Sequence, residues 1–197
     1  MSVEIIFFDA VDVLFMHDEN TFTDFESKHN FRPGEGWQIW QKYAKLVRKG
    51  QITPAQYPQY LYLAEVIDAL NANIRPTPGI VDILELLTNS YRLSVISNFT
   101  PELEEVLEGA GLRKYFEKVI NSALVGIRKP DPEIFRIACT SVNVEPEHAL
   151  LIDDKQENVE GAINFGMKAI RFTDSDTLRV QLIEQGITLD SSSITMR

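Results

Sequence analysis

Asp9 closes the apolar run Val3-Glu4-Ile5-Ile6-Phe7-Phe8, and an acidic pair, Asp153-Asp154, closes another such run, Ala149-Leu150-Leu151-Ile152. In an open parallel sheet, ligands gather beyond the carboxyl ends of the strands, so two strands ending in acids would bring those acids to one crevice. Oxygen-only ligands of this kind suit a hard cation such as Mg²⁺. Between the two acidic ends lie Ser97-Asn98, closing the run Leu93-Ser94-Val95-Ile96, and Lys129-Pro130, opening a helix-like segment. These supply a hydroxyl and an ammonium for an anionic substrate. Each piece has a plainer reading when taken alone. Asp153 and Asp154 could cap the next helix, Lys129 could be a solvated surface lysine, and Ser97 and Asn98 could be turn residues. Two adjacent acids after four apolar residues, matched by Asp9, favour the metal site over the helix cap.

Four ordered pieces carry a resemblance: Phe8-Asp9-Ala10-Val11-Asp12-Val13-Leu14, then Ser97-Asn98, then Gly126-Ile127-Arg128-Lys129-Pro130-Asp131-Pro132, then Ile152-Asp153-Asp154 with Glu157-Asn158-Val159 and Phe165-Gly166-Met167. In this order and spacing the chain resembles the haloacid dehalogenase-like hydrolases over nearly its whole length. The third and fourth pieces look most like the subgroup of α-glucose-1-phosphate phosphatases and the N-terminal phosphatase domain of epoxide hydrolases. The resemblance implies a Mg²⁺-dependent phosphatase acting on a small phosphorylated metabolite, with a sugar phosphate as one such substrate. By that likeness Asp9 attacks phosphorus and forms an aspartyl-phosphate, which water hydrolyses. Mg²⁺ would be held by the Asp9 side chain, the backbone carbonyl of Val11 and Asp154, with Asp153 behind them orienting Lys129 or a water. Ser97 and Asn98 would contact phosphate, and Lys129 would offset charge in the transfer.

One position departs from the pattern. Phosphatases of this kind mostly carry a second aspartate two residues after the nucleophile, to protonate the leaving alcohol, and here that residue is Val11. Asp12 follows one place later, and a one-residue shift at a strand end is expected to aim its side chain elsewhere. Three outcomes are open: a phosphatase using another acid or a substrate with a good leaving group, a haloacid dehalogenase-type hydrolase, or a catalytically weak binding protein. The dehalogenase reaction needs no Mg²⁺, which the acidic pair argues against. His17 could face the site, though a packed or solvated histidine is the plainer reading, and His29 and His148 lack ligand spacing.

The elements that must position these residues read as β-α alternation. Apolar runs at about Glu4 to Phe8, Arg92 to Ser97, Lys118 to Asn121, Ala149 to Asp153 and Lys168 to Phe172 are strands, and helical patterns separate the last four. Thr100-Pro101 and Asp131-Pro132 place a capping side chain before a proline at a helix start, while Gly111 and Gly166 mark helix ends. The fold class is therefore α/β, a Rossmann-like doubly wound parallel sheet. The resemblance implies the strand order 5-4-1-2-3. Residues 1–14 and 79–197 form the core domain, and residues 15–78 read as an inserted helical cap without a convincing strand. In the cap Trp37, Trp40, Tyr43, Ala44 and Val47 form one apolar stripe, with Lys42, Lys45 and Arg48 off it. Thr53-Pro54-Ala55-Gln56 suggests a capping box, Gln59 to Leu70 a further helix, and Ser191 to Arg197 a frayed tail.

A chain of 197 residues, 44% of them apolar, has enough core for one domain and a small insertion. The formal charge of −10 disfavours nucleic acid and anionic membranes, which require a net positive face. Met1-Ser2-Val3-Glu4 has no basic leader, so neither a signal peptide nor a membrane span is expected, and a cytoplasmic location is. A single cysteine, Cys139, excludes an internal disulfide; it sits among apolar residues and reads as core.

Overall fold

The computed structural model describes residues 2–18, 20–52 and 61–189. In chain order the elements begin with β1 (Ile5–Phe8), β2 (Phe15–His17), α1 (Thr21–Lys28), α2 (Glu35–Val47), α3 (Leu61–Ala72) and β3 (Ile74–Pro76). They continue with α4 (Ile80–Leu87), β4 (Arg92–Ser97), α5 (Leu103–Gly109), β5 (Lys118–Asn121), α6 (Ser122–Val125) and α7 (Pro132–Ser141). The last four are β6 (Ala149–Asp153), α8 (Gln156–Phe165), β7 (Lys168–Arg171) and α9 (Ser175–Glu184). Five strands form one sheet in the order β5-β4-β1-β6-β7. Counting only these strands in sequence, the order read from the β7 edge is the expected 5-4-1-2-3, and every pairing is parallel.

The central strand explains why its sequence is continuously apolar. All four residues of β1 are fully buried, because helices cover both faces of the sheet. Strand alternation sends Ile6 and Phe8 into one layer, with Ile83 and Leu84 of α4, Leu107 of α5 and Leu182 of α9. Ile5 and Phe7 enter the opposite layer, with Ile134 and Phe135 of α7 and Ala162 of α8. Each buried phenylalanine contributes about 2–3 kcal/mol of transfer free energy. Cys139 lies in this second layer, and burial together with the nearby Glu145 charge pushes its thiol up to about 11, which leaves it protonated and inert at neutral pH.

Segment 15–78 contains strands that the sequence does not announce. β2 and β3 pair antiparallel, Phe15 opposite Pro76 and His17 opposite Ile74, making a ribbon at the root of the helical region. Phe15 belongs to the main core and meets the Phe99 ring edge-on at 5.7 Å. Above the ribbon α1, α2 and α3 enclose a separate apolar cluster that includes Phe25, Trp40, Val47, Val66 and Leu70. The stripe on α2 therefore packs as expected at Trp40, Ala44 and Val47, whereas Trp37 is 45% exposed. Buried Glu26 starts α2 by accepting the main-chain N–H groups of Gly34 (2.9 Å) and Gly36 (2.8 Å).

Two cap readings divide. Asp131 accepts the N–H of Glu133 at 3.0 Å ahead of Pro132, and Gly166 ends α8 at φ 107°. Thr100 does not cap α5, which starts at Leu103 after Glu102; its hydroxyl is buried and makes no hydrogen bond. The capping box at 53–56, the first residues of the Gln59 helix and the tail from Ser191 lie outside the described residues. Among the described residues, no helix is long and apolar enough to cross a membrane.

Candidate active site

Parallel pairing in register brings the strand ends to one edge. Phe8 lies opposite Val95 on one side and Ile152 on the other, so the next residues of β1, β4 and β6 emerge together. Asp9 is fixed by its own N–H, which donates to the Ile152 carbonyl at 2.8 Å. Ligand oxygens of Asp9, Asp153 and Asp154 all lie within 4.8 Å of one another.

Lys129 enters this acidic cluster from the loop between α6 and α7. Its ammonium is 0% exposed and sits 2.9 Å from Asp9 Oδ1 and 2.6 Å from Asp153 Oδ2. It also donates to the Ile96 carbonyl. Burial alone would depress this lysine, but the charges of Asp9 and Asp153 outweigh it and raise the ammonium above the ordinary range, so it stays charged. Burial likewise opposes the charge on Asp9. The Lys129 charge and hydrogen bond prevail, aided by the Ser97 hydroxyl and the Ala10 N–H, and hold Asp9 below the usual carboxylate range. An ionised carboxylate of this kind is a competent nucleophile.

The loop that carries Lys129 is held at two places. Asn98 accepts the Lys129 N–H at 2.9 Å and donates to the Lys129 carbonyl at 3.0 Å. The Asn98 side chain, expected at the phosphate, is thus spent on the lysine's main chain, because one amide matches both backbone groups. Gly161 of α8 lets the adjoining Pro130 pack against the helix, since a Cβ there would lie 2.7 Å from Pro130 Cβ.

The acidic pair divides its labour. Asp153 is fully buried and saturated: its oxygens take the Asn158 amide at 2.9 and 3.0 Å, the Lys155 N–H at 2.9 Å and Lys129. Burial pushes this carboxyl up, opposed by Lys129 and reinforced by Asp9. Asp154 is half-buried, and its Oδ1 is enclosed without a hydrogen-bond partner. Burial and the Asp9 charge push Asp154 up to about 6. Three carboxylates answered by one ammonium, with a buried oxygen left over, fit a divalent cation bound by oxygen donors.

The chain turns directly after β1. Val11 is half-buried against the main core, and Asp12 adopts a left-handed backbone at φ 64°. Because the chain turns here and does not continue as a strand, the alternation that would carry Asp12 away does not apply. Its charge reaches Asp154, His17 and Arg48. His17 is packed, with Nδ1 3.1 Å from the Leu70 carbonyl. Sequence reasoning missed two contributors. Asn158 follows Asp153 by five residues and lies in the first turn of α8, a position that reads as an ordinary helix start. Arg48 reads as an off-stripe surface cation, yet it reaches the electrostatic field of Asp9.

Comparison with known proteins follows this geometry. The profile of the haloacid dehalogenase-like hydrolases matches residues 20–172, a stretch that begins after Asp9. A phosphoserine phosphatase from Thermus thermophilus is 42% identical over 80 residues, 40% of this chain and 32% of the relative. The chain spans about a third of the length of the curated relatives it matches at this level of identity. The pyrimidine 5'-nucleotidase YjjG of Escherichia coli is 28% identical over 194 residues, 85% of this chain and 84% of that protein. In fold, a haloacid dehalogenase family enzyme from Bacteroides thetaiotaomicron, solved with magnesium and inorganic phosphate, superposes with a TM-score of 0.73. That likeness covers 99% of this chain and 100% of that one at 21% identity. With most of its length matched by the family profile, the chain belongs to the haloacid dehalogenase-like hydrolases.

Proposed function

We propose that this protein is a Mg²⁺-dependent phosphatase that hydrolyses a small phosphorylated metabolite through an aspartyl-phosphate on Asp9. The observation that carries this reading is the cluster of Asp9, Asp153 and Asp154 around Lys129, with one Asp154 oxygen buried and unpaired. Asp9 and Asp154, with the main-chain carbonyl of Val11, would hold Mg²⁺. When bound, that ion would offset the negative charge of the phosphoryl oxygens.

The chain's own residues do the rest. Asp9, kept ionised by Lys129, attacks phosphorus. Lys129 remains charged and stabilises the oxygens that gain charge during transfer. Ser97 offers its buried hydroxyl to a phosphoryl oxygen, and Asn98 adds its main-chain N–H while its amide anchors Lys129. Asp153 does not touch substrate in this reading and holds Lys129 in place. The α/β core of residues 1–14 and 79–197 carries the reacting groups, and the cap of residues 15–78 covers them. The relatives named as phosphatases and the nucleotidase support phosphate ester hydrolysis over other chemistries. The likeness of residues 126–132 to the α-glucose-1-phosphate phosphatase subgroup, with Val11 in place of an acid, favours esters whose alcohol leaves readily, anomeric sugar phosphates among them.

Val11 favours one other reading, dehalogenation by the same aspartate, which needs no metal cluster and leaves Asp154 without a purpose. Both are tested together. Purified protein should release phosphate from 4-nitrophenyl phosphate with Mg²⁺ and not with EDTA, and Asp9→Asn should lower the rate at least about 10³-fold while the fold persists. Chloride release from 2-chloropropionate without metal, and no phosphate release, would establish the dehalogenase instead.

A further inference from the structure

Arg48, at the end of α2, and Arg128, one residue before Lys129, are guanidiniums without an anionic partner among the described residues. Among the described residues neither takes part in an ion pair or donates a side-chain hydrogen bond, and the Nε of each is buried without an acceptor. Arg48 is not loosely placed. Its guanidinium lies 5.1 Å from the Trp40 ring centre, and its carbonyl accepts the Ser122 hydroxyl of α6 in the core. Next to it Gly50, at φ 63°, brings the backbone so near the Ala123 carbonyl that a Cβ would stand 2.2 Å from it. The seam between helical region and core thus fixes the main chain at Arg48.

Burial holds the Arg48 guanidinium below its ordinary range, and the charges of Asp9, Arg128 and Asp12 also act on it. A small cavity at the seam is lined by Arg48 with His17, Trp40, Phe99 and Thr100, and the neighbouring Asn98 amide holds the main chain of Lys129, next to Arg128. Lys129 is already saturated by two carboxylates and a carbonyl, so these arginines are not needed to hold the acidic cluster together. Two half-buried guanidiniums, one on the cavity and one beside Lys129, each with an enclosed Nε that has no acceptor, call for an anion from outside the chain.

We propose that Arg48 and Arg128 bind a second anionic group of the substrate, a carboxylate or a second phosphate, on the part remote from the transferred phosphoryl group. The proposal rests on the phosphatase reading and narrows it to substrates with two anionic groups. Arginine suits the task because its planar fork meets either oxyanion in a bidentate manner.

Matched aryl phosphates test it with Mg²⁺ present. 4-Carboxyphenyl phosphate should exceed its neutral counterpart, 4-carbamoylphenyl phosphate, in kcat/KM by about tenfold or more, mainly through KM. 1,4-Phenylene bisphosphate distinguishes the two anions: preference over the carboxylate assigns the subsite to phosphate. Arg48→Gln and Arg128→Gln should each collapse the ratio, and Arg48→Lys should keep part of it. A wild-type ratio near one, or a ratio unchanged in both glutamine variants, overturns the proposal. If wild type hydrolyses none of the esters, the phosphatase reading fails separately. The unconsumed esters then report the subsite by calorimetry: tighter binding of the charged ester, lost in Arg48→Gln, upholds it, and equal binding overturns it.

Discussion

At Val11 the chain carries an apolar side chain, half-buried against the core, in the place where a proton donor to the leaving group is expected. Rates should therefore follow leaving-group acidity, aryl phosphates well above simple alkyl phosphates. Val11→Asp should raise turnover of an alkyl phosphate by about tenfold or more, part of the 10²–10⁴ that such catalysis supplies, with little gain on aryl esters. A buried carboxyl can also destabilise, so melting is measured beside rate. A folded variant without selective gain would show that another group, Asp12 or His17 first, already supplies the proton. Behind the nucleophile, Asn158 gives its amide to both oxygens of Asp153. Asn158→Ala should cost about 1–3 kcal/mol in urea unfolding, because a buried carboxylate loses its neutral donor; a change below about 0.5 kcal/mol would deny the amide that role. The gathering of Asp9, Ser97, Lys129, Asp153 and Asp154 was legible because each stands at a strand end or in an ordered motif. Asn158 and Arg48 were not, since an amide in the first turn of a helix and a cation off an apolar stripe both read as ordinary surface residues until the fold turns them inward.

Among the elements, the five parallel strands were readable because covered strands need uninterrupted apolar runs. The β2–β3 ribbon was hidden for the opposite reason: each strand has three residues, and β3 ends in Pro76. Thr100-Pro101 looked like a helix start, yet the chain spends two more residues turning before α5 begins at Leu103. The contact that joins helical region to core is equally local and equally silent in the sequence. Gly50 combines a left-handed backbone with a carbonyl where its side chain would stand. Gly50→Ala should lower stability by about 2–4 kcal/mol, from strain and from the displaced seam. Thermal or denaturant melting within about 0.5 kcal/mol of wild type would mean that the seam yields at little cost.

Across the whole molecule, the net charge of −10 is set against the buried Lys129 ammonium at one sheet edge. Lys129 pairs with carboxylates there, while Arg48 and Arg128 make no ion pair among the described residues, so the anionic substrate proposed would be held by local groups against the overall field. The topology explains how such distant residues meet: β1 lies between β4 and β6, and residues near positions 9, 97 and 153 emerge side by side. The sequence could indicate this convergence through its strand ends, but the order of strands came only with the family likeness. The central claim is that Asp9 itself carries the phosphoryl group between substrate and water. It is tested most directly by mixing Mg²⁺-loaded protein with 4-nitrophenyl phosphate labelled at phosphorus, quenching in acid within the first turnovers and mapping the label. Protein-bound phosphate, labile to hydroxylamine and located on the peptide containing Asp9, is the predicted result. Steady phosphate release with label on no residue, or on any residue other than Asp9, would contradict the account.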